Sequence, residues 1–138
     1  MFSTKNREPF IGHDIEDRIW SYIGGIAREN GMTALCIRGF PDHIHILSTI
    51  TKTMTVSQAL QFLKGGSSKW IHETLPRTIP FAWQDGYAAF TVSESDIPRI
   101  IEYIKRQREH HRKRSFQEEY LEFLREHHIE FDEKYVWG

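Results

Sequence analysis

Apolar positions recur along this chain at two periods. Ile15, Ile19, Tyr22, Ile23 and Ile26 fall at helical spacing and Asn30-Gly31 is a C-terminal stop, which predicts a helix from about Asp14 to Glu29. Met32 to Phe40 is a short apolar run of strand character, and His43 to Ile50 is another. Gly39-Phe40-Pro41-Asp42 between them is a tight turn, so the two are expected to pair as a hairpin. Thr55 or Ser57 caps a second helix that buries Ala59, Leu60, Leu63, Trp70 and Ile71. Gly65-Gly66 weakens its middle and marks a close approach of its backbone to a neighbour. Pro76 and Pro80 break the chain, Asp85-Gly86 is a turn signal, and Tyr87 to Val92 reads as a strand. Ser93 or Ser95 caps a third helix from about Asp96 to His111, with Ile97, Ile100, Ile101 and Ile104 as its buried stripe. A shorter helix from Phe116 to Glu126 and a segment ending at Trp137 follow.

Phe2-Ser3-Thr4 has the character of the last residues of a strand. Counting it, the order is βαββαβ, an α+β arrangement of the ferredoxin-like kind with an antiparallel sheet, a truncated first strand and an added C-terminal helix. There are no repeats and no low-complexity linker, so residues 1–138 are expected to form a single domain. That length buries a real core yet is small for an enzyme building its site alone, and a dimer would supply the missing surface.

Charge changes the picture only locally. Lys and Arg number 18 against 19 Asp and Glu, a formal net charge of -1, so there is no overall basic excess for nucleic acid. From Arg99 to Arg114, however, Lys105, Arg106, Arg108, Arg112, Lys113 and Arg114 outweigh Glu102 and Glu109, while the tail from Gln117 is mainly acidic. The single Cys36 rules out an internal disulfide and a multi-cysteine zinc site. Without a membrane-length apolar run or a signal peptide, a cytoplasmic protein is expected.

The chemistry centres on His43-Ile44-His45. Alternation along a strand sends both histidines to one face as parallel imidazoles and Ile44 and Ile46 to the other, so one metal ion can be shared. Two histidines at this spacing are, in isolation, more often a surface pair; the third helix argues otherwise. Tyr103 and Gln107 lie about 40° apart on its wheel, at the flank of the isoleucine stripe, with Arg106 and His110 near the same edge. A Gln oxygen beside two neutral imidazoles leaves a divalent ion its full charge and open positions for a phosphate oxygen. The tyrosine then reads as the nucleophile, its phenol needing a base, a cation or the metal to ionise. Lys64 and Lys69, flanking Gly65-Gly66-Ser67-Ser68, are candidates to grip a nucleic-acid backbone, the alternative being a plain helix irregularity.

These residues carry a resemblance. Pro41-Asp42-His43-Ile44-His45, Trp83-Gln84-Asp85-Gly86-Tyr87 leading to Phe90-Thr91-Val92-Ser93, Tyr103-Ile104-Lys105-Arg106-Gln107 and Glu109-His110-His111 together resemble the single-tyrosine HUH transposases of simple bacterial insertion sequences and their relatives at repetitive palindromes. The likeness runs from Phe2 to Trp137. It implies an obligate homodimer with a ferredoxin-like core, magnesium or manganese held by His43, His45 and Gln107, and Tyr103 attacking single-stranded DNA to leave a 5′-phosphotyrosine and a free 3′-hydroxyl. It also implies recognition of DNA hairpins near the element ends, in the bacterial cytoplasm at the nucleoid. Family members carry further residues before Phe2 that form the first strand, central in the sheet; a misplaced start codon is the simplest reason for their absence.

Two other readings stand beside this one. A non-catalytic, domesticated hairpin-binding protein would keep the DNA grip without cleavage, and a metal-dependent phosphodiesterase using water would tolerate loss of Tyr103.

Overall fold

The computed structural model describes residues 1–75, 80–106 and 118. Its elements are β1 (Phe2–Ser3), α1 (Glu16–Glu29), β2 (Ala34–Phe40), β3 (His43–Ser48), α2 (Val56–Thr74) and α3 (Ile97–Lys105), with short 3-10 turns at Lys5–Arg7 and Glu94–Asp96. The chain divides into two compact units, Met1–Ala89 and Phe90–Gly138.

In the first unit α1 buries Ile19, Trp20, Ile23, Ile26 and Ala27, the predicted stripe with Trp20 in place of Tyr22. Gly31 ends it at a φ of +76°, where a side chain would be strained, and the Met32 amide returns to the Ala27 carbonyl at 2.8 Å. Thr55, one of the two expected caps, starts α2 with a reciprocal box. Its hydroxyl accepts from the Gln58 amide at 3.1 Å, and its amide donates to the Gln58 side chain at 2.9 Å. The helix runs unbroken through Gly65-Gly66. A Cβ at Gly66 would stand 2.8 Å from the Ile26 side chain, so this glycine lets α1 and α2 approach, as expected of the pair. Leu60 and Trp70 are only partly buried; the fully enclosed position on this face belongs to Ser67. Its hydroxyl donates to the Leu63 carbonyl at 2.6 Å and accepts from the Trp83 indole at 2.9 Å, which satisfies a polar group inside the core.

The three strands are antiparallel in the order β1-β3-β2. Residues Pro41 and Asp42 form the predicted hairpin turn between β2 and β3, and Phe40 pairs with His43 across it. On the far side of β1 runs an extended segment. The Lys5 amide donates to the Ala82 carbonyl, the Gln84 amide to Ser3 and the Ala88 amide to Met1, all at 2.8–2.9 Å, with a bridge between Thr4 and Trp83. Taken with that segment the spatial order is fourth, first, third, second, the ferredoxin-like topology with its first strand inside the sheet. Here the sequence expectation needs correction: no regular strand forms over Tyr87 to Val92, and the pairing with the start of the chain begins earlier, running from Ala82 to Ala88 with its bridge at Trp83. Within this stretch Lys64 holds the turn, its ammonium donating to the carbonyls of Gln84, Asp85 and Gly86.

One sheet face packs on the helices. Phe2, Ile37 and Ile44 from the strands join Ile19, Ile23, Leu63, Ile71, Phe81 and Trp83 in one apolar cluster, and Phe2 and Phe81 each set an edge against Trp83 at 4.8 Å. Burial of such side chains is the main force holding this layer together, at about 25 cal/mol per Å² of apolar surface removed from water.

In the second unit the Ser93 hydroxyl donates to the Asp96 carboxylate at 2.9 Å, heading the 3-10 turn rather than α3 itself. Pro98, in the first turn of α3, needs no amide partner there. Ile104 is buried, while Ile97, Ile100 and Ile101 are half-buried. The expected continuation of this helix to His111, the helix from Phe116 to Glu126 apart from the helical Glu118, and the segment ending at Trp137 lie outside the described residues. Among the described residues no helix is long and apolar enough to cross a membrane.

Candidate functional site

β3 occupies the middle of the sheet, between β1 and β2, and this is what places the histidine pair. Ile44 enters the core between the two histidines and is fully enclosed, which turns His43 and His45 to the opposite face, as alternation requires. Both are buried, at 0% and 4% exposure, a rare condition for a surface pair of histidines and the first sign that these rings are held for a purpose.

The rings lie with centroids 5.3 Å apart, but they are not parallel as the strand pattern suggested: their planes cross at 78°. Two neighbours account for the orientation of His43. Phe40, its partner across the hairpin, stacks on it at 4.9 Å and 21°, and the Asp42 carboxylate lies 2.7 Å from its Nδ1. With the Nδ1 proton engaged by a carboxylate, the neutral ring carries its lone pair on Nε2, the arrangement that ligating histidines use. The turn residue bearing that carboxylate was visible in the sequence only as part of a turn. The signal available there was an acidic residue directly preceding the first histidine.

The donor chemistry therefore fits a divalent ion in part: two buried imidazoles at alternate positions on the same strand face, one of them oriented by a carboxylate. Among the described residues no group of three or more His, Cys, Asp or Glu comes together to hold a metal.

The other site residues are distributed as follows. Tyr103 is half-buried on α3, in the second unit. Gln107 lies outside the described residues, as do Arg108, Arg112, Lys113 and Arg114. Lys105 and Arg106 are exposed at the end of α3, with the Arg106 guanidinium 3.5 Å from Glu102 one turn back. Lys69 is exposed on α2.

Lys64 behaves differently from the other cations. Half-buried, it donates to the carbonyls of Gln84 at 2.5 Å, Gly86 at 2.9 Å and Asp85 at 3.2 Å, and its ammonium sits 5.4 Å above the Phe2 ring. Burial pushes this ammonium below its ordinary range, and the Asp85 carboxylate offsets part of that. All three of its donors are directed at the turn that follows Trp83. Of the tryptophans, Trp83 is core, while Trp70 stacks on Tyr22 at 4.5 Å with Arg18 over its ring at 5.6 Å.

Comparison with known proteins bears on the same span. The profile of the IS200-like transposase family matches residues 1–107, a stretch that takes in His43, His45, Tyr103 and Gln107. The ISDra2 transposase TnpA of Deinococcus radiodurans is 25% identical over 112 residues, covering 78% of this chain and 80% of its own. A crystal structure from the same organism, described as a candidate transposase, superposes with a TM-score of 0.61 at 24% identity, covering 77% of this chain and 85% of that one, and shares its fold. The extent of the family match, seated on a ferredoxin-like sheet with buried paired histidines, shows that this chain belongs to the IS200-like transposases, enzymes that cleave and transfer DNA strands.

Proposed function

We propose that this transposase cleaves and rejoins single-stranded DNA at ends marked by hairpins, with Tyr103 as nucleophile and a 5′-phosphotyrosine intermediate, working as a homodimer. The observation that carries the reading is the buried His43–His45 pair on the central strand, with Asp42 holding the first ring. His43, His45 and Gln107 would hold magnesium or manganese, which supplies Lewis-acid stabilisation to the phosphodiester under attack.

The roles of the chain's own groups follow from the chemistry. The Tyr103 oxygen forms a bond to phosphorus as the bond to the 3′ oxygen breaks, and that oxygen leaves as a hydroxyl once protonated. The phosphotyrosine conserves the energy of the broken bond, so a 3′-hydroxyl can reverse the step without a nucleotide cofactor. Lys69 and Lys105, exposed on helices, and Arg106, exposed at the end of α3, are suited to phosphates, as are Arg108, Arg112, Lys113 and Arg114 by their place in the basic run of the sequence.

The test is covalent capture. With manganese and single-stranded DNA from the flanks of its own gene, the protein is expected to yield a denaturant-resistant adduct, which Tyr103→Phe abolishes while hairpin binding stays within about twofold, since one hydroxyl is lost. An adduct that persists in that variant refutes the assignment of the nucleophile. Band-shift of hairpin DNA with no adduct in the wild type identifies a non-catalytic hairpin binder instead, and free 5′-phosphate ends identify water as the nucleophile.

A further inference from the structure

The Asp42–His43 contact goes beyond the proposed ligand set. We infer that Asp42 is a positioning residue for the metal site: its carboxylate fixes the tautomer and the plane of the His43 ring before any ion arrives. This rests on the proposed role of His43 and His45 as ligands, and the experiment below separates the two.

Three observations support it. First, the carboxylate is held in place through its own backbone. The Asp42 carbonyl accepts from the Thr4 amide at 2.8 Å and from the Thr4 hydroxyl at 3.2 Å, and the neighbouring Pro41 carbonyl accepts from the Ile11 amide at 3.0 Å. Thr4 is itself fully buried, so the hairpin turn is fastened to the start of the chain. Second, the Asp42 Oδ1 to His43 Nδ1 distance is 2.7 Å, short for a nitrogen donor and in the range of charge-assisted bonds. Third, the ring is clamped on another side by Phe40, stacked at 4.9 Å, so the hydrogen bond and the stack together leave the imidazole one plane. An imidazole fixed in this way pays less entropy when it ligates, and a carboxylate on its far nitrogen raises its basicity as a ligand.

The experiment uses the full chain labelled with nitrogen-15. At pH 8 without metal, long-range proton–nitrogen correlation spectra are expected to show His43 protonated on Nδ1, and titration with manganese alone gives the affinity. Asp42→Ala is expected to shift His43 toward the Nε2-protonated form and to weaken manganese binding by about 10- to 100-fold. Asp42→Asn keeps an acceptor oxygen and is expected to retain the tautomer with a smaller loss of affinity. A wild-type His43 protonated on Nε2, or an Asp42→Ala protein that folds and binds manganese as the wild type does, overturns the inference. Should Asp42→Ala fail to fold, the wild-type tautomer and the Asp42→Asn affinity decide the matter. Failure of the underlying reading looks different: His45→Ala would leave manganese affinity unchanged, whatever the tautomer of His43.

Discussion

Replacing Lys64 by Met separates two roles for one cation. In the structure its ammonium serves the turn at Gln84 to Gly86 through two short hydrogen bonds and one longer one, and lies over the Phe2 ring. Hydrogen bonds involving a charged donor contribute roughly 1.5–3 kcal/mol each. Here the turn is half open to water, which replaces part of what is lost, and Met keeps the apolar stem, so a total near 2 kcal/mol is expected. Urea unfolding of Lys64→Met should show an earlier midpoint by that amount at an unchanged slope. Binding of a hairpin oligonucleotide, measured across a salt series, should keep the wild-type dependence, because a residue spent on three carbonyls releases no counterion from DNA. If Lys64 instead contacts phosphate, the midpoint stays put and the slope of log affinity against log salt falls by about 0.9. That pair of results would refute the structural role.

Other perturbations test the same frame. Ser67→Ala removes the only protein acceptor described for the buried Trp83 indole, and is expected to cost about 1–3 kcal/mol in denaturant unfolding, with a change in tryptophan emission. Gly65→Ala, with open space around its Cβ, should stabilise α2 by about 0.5–1 kcal/mol, whereas Gly66→Ala should gain less or lose stability because its Cβ meets Ile26; equal gains would contradict the helix contact. In a chain starting at Met1, burial, with a further push from Lys64, lowers the α-amino pKa from 8.0 to about 5, so between these values the unfolded state binds a proton that the folded state does not. Stability should therefore rise with pH across that window, by up to about 4 kcal/mol, and fall again on acidification toward pH 5. Adding one residue ahead of Met1 turns the amine into an amide and should remove that component from the pH dependence of unfolding; identical pH profiles would disprove it.

How far the sequence could be read differs by element. The two histidines were placed correctly because a period of two, with Ile44 between them, leaves a central strand no alternative face. Their crossing angle was not legible, since it is set by Phe40 and Asp42, and a ring plane depends on contacts that periodicity does not encode. Helices α1 and α2 followed from their isoleucine and leucine spacing and from a cap at Thr55 or Ser57. Trp20 displaced Tyr22 in the core because both lie near the edge of the stripe and only the packing against Gly39 chooses between them: a Cβ there would come within 2.8 Å of the Trp20 ring. The last strand was misplaced for a different reason. Propensity favoured Tyr87 to Val92, whereas the pairing runs from Ala82 to Ala88 around a turn that Lys64 holds, and no local pattern announces a side chain arriving from twenty residues upstream. Lys64 was read as a DNA contact because it flanks Gly65-Gly66-Ser67-Ser68; the structure adds that its ammonium donates to the carbonyls of Gln84, Asp85 and Gly86, a partner that spacing does not announce.

The two-residue β1 has more consequence for the site than its length suggests. It pairs with β3 at Phe2–Ile44 and Ser3–His43, and on its other side with the segment around Trp83. Ser3 thus stands directly beside the first histidine, its amide accepted by the Gln84 side chain at 2.6 Å, while the next residue, Thr4, fastens the turn that carries Asp42. The histidine strand is therefore flanked on both sides by hydrogen-bonded neighbours, which holds the proposed ligand pair on a rigid element, as a preorganised site requires. Tyr103, the proposed nucleophile, is carried by α3 in the other compact unit. Tyr103→Phe should consequently abolish the covalent adduct while leaving metal affinity intact, whereas His43, His45 and Asp42 variants should lose metal affinity and adduct together.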